Sequence, residues 1–435
     1  MQAMHSFFLV LYGGLLRLAS AFGHKKAKGW LAMRSQGWSV LAEATSVLPP
    51  EEQWHAVHCA SVGEFEQARP VMEAYRKANP SARFLLTFFS PSGWIAFQKR
   101  RPTWWTDRDC VAPSPLDRPS HVRRFVAAVT RTGELAPSIA WLALAKYEVW
   151  PNWLAALQKH QIPCVVFAAH AVEGRWPFRV GGGWHRKAWE KLDAIWVQHQ
   201  QSEETLSRWG ILGAKVLGDP RFDRVLQTVQ ESADHFDAGL KNWVGQRQCL
   251  VVGSAWNPEI EAMLAVNWTE NWCVIVVPHE WTEDSIAGQK EAWKKRGHEA
   301  VVWSDHRSEA NPSAALPPAK VLLVDAMGFL TGIYAVANAA VVGGGFGAGI
   351  HNTLEPAAHG VPVWVGPNCS RFLEAQLLQT SGALHVVDSE AALTLAVQQA
   401  LGDSKALKHQ GLQAQSFAMA HAGAAQRIAE GLLSL

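Results

Sequence analysis

Short apolar runs rich in β-branched residues alternate with amphipathic stretches along most of the chain. In the first half, runs at 54–60, 83–88, 139–144, 164–168 and 194–198 predict strands. Helical spacing fills the intervals at 64–78, 119–129, 150–160, 182–191 and 202–209. A stretch over 218–237 and a polar helix to Val244 separate this half from a second one. There the pattern restarts, with strands predicted at 248–252, 272–277, 299–302, 320–324, 339–342 and 361–365. Such alternation argues for parallel sheets covered by helices, and the restart argues for two α/β domains. The expected organisation is an N-terminal segment over 1–30, a Rossmann-like domain over 31–228, a second over 229–405, and closing helices over 406–435. Residues 304–319 (SDHRSEANPSAALPPA) predict an unstructured insertion.

The first residues change the picture in one respect. Residues 4–23 read MHSFFLVLYGGLLRLASAFG, and Lys25, Lys26 and Lys28 follow. The run is short for a membrane span and Arg17 interrupts it. The basic cluster follows the apolar run, so the segment does not read as a signal peptide. It predicts a helix lying on, or marginally inserted into, the cytoplasmic side of a membrane.

Bulk composition mostly excludes. With 48% hydrophobic and 18% charged residues over 435 positions, the chain can bury real cores. A net charge of +2 gives no reason to expect nucleic acid as a partner. The six cysteines are scattered through apolar runs, which predicts reduced, buried thiols. No Cys/His cluster has zinc spacing; His55, His58 and Cys59 lie along one predicted strand. Of the 22 tryptophans, Trp104, Trp105, Trp176, Trp184 and Trp189 are expected at surface or loop positions.

The densest chemistry lies in 341–374, VVGGGFGAGIHNTLEPAAHGVPVWVGPNCSRFLE. Glycines let a backbone approach a ligand, and the amides of a helix start favour an anion. A helix opening at His351 would put His351 and Glu355 on one face. Amides for phosphate and a carboxylate for ribose hydroxyls are the parts a nucleotide-sugar site needs. An ordinary strand-to-helix turn accounts for the same glycines. Two doubly wound domains facing a cleft form the GT-B layout, which glycosyltransferases share with nucleotide-sugar epimerases.

Five ordered segments narrow this. They are His58–Pro70 (HCASVGEFEQARP), Tyr147–Pro151 (YEVWP) and Gly218–Arg224 (GDPRFDR), then Val252–Trp256 (VGSAW) with Val277–Glu280 (VPHE), and the glycine loop with Val324–Gly328 (VDAMG) before it. Together they resemble the 3-deoxy-D-manno-octulosonic acid (Kdo) transferases of lipopolysaccharide biosynthesis. The Phe-Gly-x-Gly-Ile-His-Asn and Pro-His-Glu variants are similar to a Bacteroidetes-like branch.

The resemblance implies a metal-independent, inverting GT-B glycosyltransferase at the inner membrane, needing no cofactor beyond its donor, CMP-Kdo. Its partners would be CMP-Kdo, a lipid A precursor (lipid IVA) and the membrane surface. It implies Glu64 as catalytic base and Glu148 as an active-site carboxylate. It assigns Ser254, His279, Gly328, Gly345, Gly347, Asn352 and Glu355 to the donor nucleotide. Arg221 and Arg224 would meet donor carboxylate or phosphate, with Asp223 anchoring them. Glu66 is expected to turn away from Glu64. Ala255, Glu280 and Phe329 depart from residues frequent in the family, which leaves sugar and nucleotide specificity more open than reaction type. A transferase or epimerase for another nucleotide sugar, and a non-catalytic nucleotide- or lipid-binding protein, remain the alternatives.

Overall fold

The computed structural model describes residues 2–234, 238–307 and 314–435. Of the predicted insertion, residues 308–313 lie outside the described residues. The chain forms two compact units, Met1–Arg224 with Ala422–Leu435, and Val225–His421.

The first unit is built on a seven-stranded parallel sheet. Its strands are β1 (Trp54–Cys59), β2 (Arg83–Phe88), β3 (Cys110–Pro113), β4 (Ile139–Ala145), β5 (Cys164–Ala169), β6 (Ala194–Val197) and β7 (Lys215–Val216), in the order β3-β2-β1-β4-β5-β6-β7. Most of these strands are buried on both faces, which is why they read as continuous apolar runs. The order reverses between β1 and β4, the switch point at whose carboxyl ends open α/β sheets bind ligands. β3, β7 and the helix Pro91–Lys99 had no predicted counterpart.

The second unit repeats the plan with β8 (Gln248–Ala255), β9 (Trp272–Pro278), β10 (Ala300–Val302), β11 (Val321–Leu323), β12 (Ala339–Val342), β13 (Val363–Val365) and β14 (Leu384–Val386). The order is β10-β11-β9-β8-β12-β13-β14, all parallel, with the reversal between β8 and β12.

Boundaries at 30, 228 and 405 would each fall inside a helix: Lys25–Ser46, Pro220–Asp234 and Ser404–Ala420. Trp30, Met33, Trp38 and Leu41 of the Lys25–Ser46 helix are buried in the first unit. The closing residues also do not act together. Gly411 of the Ser404–Ala420 helix lies so close to Gly360 that a Cβ there would sit 2.1 Å from the Gly360 carbonyl oxygen. The Ala424–Leu433 helix instead inserts Ile428, Ala429 and Leu432 into the first unit's core beside Phe65 and Val71.

The helix Gln2–Ala21 exposes Phe7, Phe8, Leu11, Leu15 and Leu18. Among the described residues no single helix is long and apolar enough to cross a membrane, though this helix and the next pass together as a pair bent by 115°. His5 pins the first helix, its Nε2 lying 2.9 Å from the buried Asp117 carboxylate. Trp189 is buried against Phe178, contrary to its expected surface position, and Trp105 packs edge-on at 4.7 Å from Phe97. Trp176 is exposed.

Candidate functional site

In the first unit, Glu64 follows β1 in the first turn of the helix Val62–Ala78. Ser61 caps this helix, and the Glu64 carboxylate reaches back to it. Ser61 N–H donates to Glu64 Oε2 at 3.0 Å, and the Ser61 hydroxyl donates to the same oxygen. This is a capping box, which fixes the carboxylate at the strand end while leaving it half-buried.

Glu148 follows β4 across the reversal point. Its Oε2 accepts from Trp150 Nε1 at 2.8 Å and lies 3.9 Å from Nε2 of the buried His58. His58 is fixed in turn by a 2.9 Å hydrogen bond between its Nδ1 and Thr87 Oγ1. Glu148 does not cap the following helix, Pro151–Gln158. Asp117 does, accepting from Asn152 N–H at 3.3 Å and Trp153 N–H at 2.8 Å. Burial pushes the Cys59 thiol well up, and the Glu64 and Glu148 carboxylates add to the rise. Both carboxylates therefore bear on the end of one strand. Burial also raises the Tyr147 phenol; Arg221 and Arg175 oppose the rise, and Glu64 and Asp219 support it.

The basic element is arranged differently from expectation. Arg221 pairs with Asp219, Nε to Oδ2 at 2.8 Å. Arg224 Nε donates to Glu66 Oε2 at 2.9 Å. Asp223 does not anchor the arginines. It accepts from Gly423 N–H at 2.7 Å and Ala425 N–H at 3.2 Å, holding the start of the Ala424–Leu433 helix.

In the second unit, Ser254 sits near the end of β8 with φ +49°. The glycine loop after β12 packs directly on it: a Cβ at Gly343 would lie 2.1 Å from the Ser254 carbonyl oxygen. Glu259, fully buried, ties the two segments together. Its Oε1 accepts from Gly344 N–H at 3.0 Å and its Oε2 from Trp256 N–H at 3.1 Å. Burial raises its pKa, and the backbone N–H groups oppose the rise.

His351 is not on the helix, which spans only Leu354–Ala358. Asn352 Oδ1 accepts from Leu354 N–H at 3.0 Å and stops the helix from extending back. His351 instead turns to His279, with ring centroids 4.3 Å apart, and accepts from Trp256 Nε1 at 3.1 Å. Trp256 stacks on the His279 ring at 4.7 Å. Burial, with His279 beside it, lowers the His351 pKa. Glu355 accepts from Thr331 Oγ1 and from Asn352 Nδ2, each at 2.8 Å, so Asn352 orients the carboxylate as well as the loop.

The glycines divide by cause. Gly345 lacks a side chain because a Cβ would meet Gly366 N at 2.4 Å, an internal contact. The Gly347 N–H donates to Gly344 O at 3.0 Å, so that amide is not aimed at a ligand. Gly328 has φ +89° with open space around it. Among the described residues no group of three or more His, Cys, Asp or Glu could hold a metal ion, and all six cysteines are free and buried.

His58, Trp256 and Glu259 are structural members that the sequence reading did not single out for these sites. His58 stood in plain view two residues before Ala60. Glu259 had no signal, because the residue three before it is Trp and not the Ser or Thr of a capping box.

Comparison with known proteins follows the same outline. A family profile described as 3-deoxy-D-manno-octulosonic-acid transferase (kdotransferase) matches residues 36–224. The 3-deoxy-D-manno-octulosonic acid transferase of Bordetella pertussis is 27% identical over 406 residues, covering 86% of each chain. That of Haemophilus influenzae is 26% identical over 391 residues, covering 87% of this chain and 86% of its own. Among solved structures, a UDP-N-acetylglucosamine 2-epimerase aligns with TM-score 0.56 at 13% identity, covering 88% of this chain and 96% of its own. The last likeness is one of fold: two parallel-sheet α/β domains of the GT-B kind.

Proposed function

We propose that the chain, which matches the 3-deoxy-D-manno-octulosonic-acid transferase profile over 36–224 and such transferases at 26–27% identity over most of its length, moves Kdo from CMP-Kdo to lipid IVA with inversion and without a metal. It is a glycosyltransferase of lipopolysaccharide biosynthesis. The first unit would take the acceptor, and the second would hold the donor nucleotide.

The observation that carries this reading is the pair of carboxylates, Glu64 and Glu148, at the β1–β4 reversal. In the proposed step Glu64 takes the proton of an acceptor hydroxyl as that oxygen attacks the anomeric carbon. The new C–O bond forms while the bond to the CMP phosphate breaks, and CMP leaves with the electron pair. A carboxylate fixed by a capping box is preorganised for this, since neither its rotamer nor its position must be found during reaction. Glu148 would orient the acceptor. Ser254 and nearby amides would meet phosphate, His279 phosphate or base, and Glu355 the ribose hydroxyls. Stabilisation by fixed dipoles and cations needs no metal ion. Arg221, held by Asp219, and Arg224, held by Glu66 farther along the same helix, would be the cations nearest to a donor carboxylate in the motif.

The exposed apolar face of Gln2–Ala21 and the basic residues Arg17, Lys25, Lys26 and Lys28 support association with an anionic membrane surface. That surface would be the cytoplasmic side of the inner membrane, where a lipid acceptor would be met.

The test is direct. Detergent-purified protein is incubated with freshly made CMP-Kdo and lipid IVA, and the lipid is read by mass spectrometry. A gain of one or more Kdo masses, with release of CMP, is expected. No gain with CMP-Kdo, but turnover of a UDP-sugar, would assign the protein to a different donor.

A further inference from the structure

A groove of about 470 Å³ opens on the second unit at the amino-terminal edge of its sheet. This is the edge opposite Ser254 and the glycine loop: Gln248 begins β8, Asn338 precedes β12, and Gly360 precedes β13. The Ser404–Ala420 helix forms the other wall with Ser404, Lys408 and Leu412. We propose that this groove is a binding site for a small hydroxylated carboxylic acid, a sugar acid, separate from the donor site.

The lining has unfilled hydrogen-bonding capacity of both signs. His359 Nε2 is buried and has no partner. The His359 ring is held by a backbone hydrogen bond with Thr331, and burial lowers its pKa. With one nitrogen held by that backbone, Nε2 is the unpartnered polar atom buried in the groove wall, and it favours a polar over an apolar occupant. Asn338 Oδ1 is taken by Cys249 N–H at 2.9 Å, which leaves its amide N–H groups to donate. Gln248 Nε2 is taken by Ser404 Oγ at 2.7 Å, which leaves its carbonyl oxygen to accept. Donors beside acceptors suit hydroxyl groups, each of which does both. Lys408 supplies one positive charge and, among the described residues, forms no ion pair. One cation among neutral polar groups matches a single carboxylate on a polyol. The floor is preformed, since the backbones of Gly360 and Gly411 are in direct contact. The volume lies within the roughly 300–1,000 Å³ of small-molecule sites.

The experiment is isothermal titration calorimetry on the full chain with gluconate as probe, and sorbitol and acetate as controls. Gluconate is expected to bind at one site. Sorbitol, lacking the charge, and acetate, lacking the hydroxyls, should each bind at least about tenfold more weakly, the effect of one lost charge-assisted bond. Lys408→Met should weaken gluconate by a similar factor. Leu412→Trp, at an exposed lining position, should block the groove, and a melting scan confirms that both variants fold. Ser254→Ala, at the opposite edge, should leave gluconate binding unchanged. The proposal fails if gluconate does not bind, if acetate binds equally well, or if both groove variants bind as the wild type does. It fails also if Ser254→Ala abolishes binding, because the acid would then sit in the donor site.

Discussion

Each carboxylate at the two strand-end sites is engaged by the chain before any substrate arrives. Glu64 closes a capping box with Ser61, Glu355 takes two side-chain donors, and Glu259 takes two backbone N–H groups. Glu259 is the one with no exposure, so its loss would leave the Gly344 and Trp256 amides without their acceptor. Glu259→Ala is expected to lower the stability of the second unit by about 1–3 kcal/mol, read by chemical denaturation. A change within a few tenths of a kcal/mol would mean that water replaces the carboxylate. Glu64 and Glu148 were named from the motifs that carry the family resemblance, and each stands just past the end of an apolar strand, the edge at which open α/β sheets bind ligands. Glu259 and the His351–His279–Trp256 cluster were not, because their partners lie far off in sequence and no local spacing reports them. Asp223 was misassigned for the same reason: it sits between two arginines in the chain, yet its partners are 200 residues away.

At the scale of elements, the glycine loop works through close backbone approach more than through a long helix. Two substitutions separate packing from backbone conformation. Gly343→Ala puts a methyl against the Ser254 carbonyl and should cost about 3 kcal/mol, the upper end of overpacking penalties. Gly328→Ala has room for the methyl but retains φ +89°, and should cost about 1–2 kcal/mol from the left-handed backbone alone. Comparing the two melting curves checks the order. Long buried strands and capped helices were legible from periodicity. β3, β7 and β14 were not: each is an edge strand whose short sequence (CVAP, KV and LHV) does not belong to a longer apolar run, and β7 is exposed and bears Lys215. The Leu354–Ala358 helix read as longer than it is because the side chain of Asn352 competes for its first amide.

At the scale of the molecule, the chain leaves the first unit at Arg224 and returns to it at Ala422. The matched family segment ends at residue 224, but the first unit's core does not. A chain ending at residue 421 would lose Ile428 and Leu432 from that core, worth about 1.5–3 kcal/mol each, and would uncover Trp196 where Gly431 packs. The first unit should then melt at a lower temperature while the second is little changed, which calorimetry of the truncated protein would resolve. The double α/β plan was legible as a repeated pattern. The return of the last helix was not, because an Ala- and Leu-rich amphipathic stretch gives no address for its apolar face.

The central claim is that the Glu64 carboxylate acts as base in Kdo transfer, and Glu64→Gln isolates it. Glutamine can still accept from Ser61 N–H in the capping box, so the helix and the melting temperature should be kept. Transfer of Kdo from CMP-Kdo to lipid IVA, followed by mass spectrometry, should fall by about 10²–10⁴, the range general-base catalysis supplies. An equally active, equally stable Glu64→Gln enzyme would contradict the account.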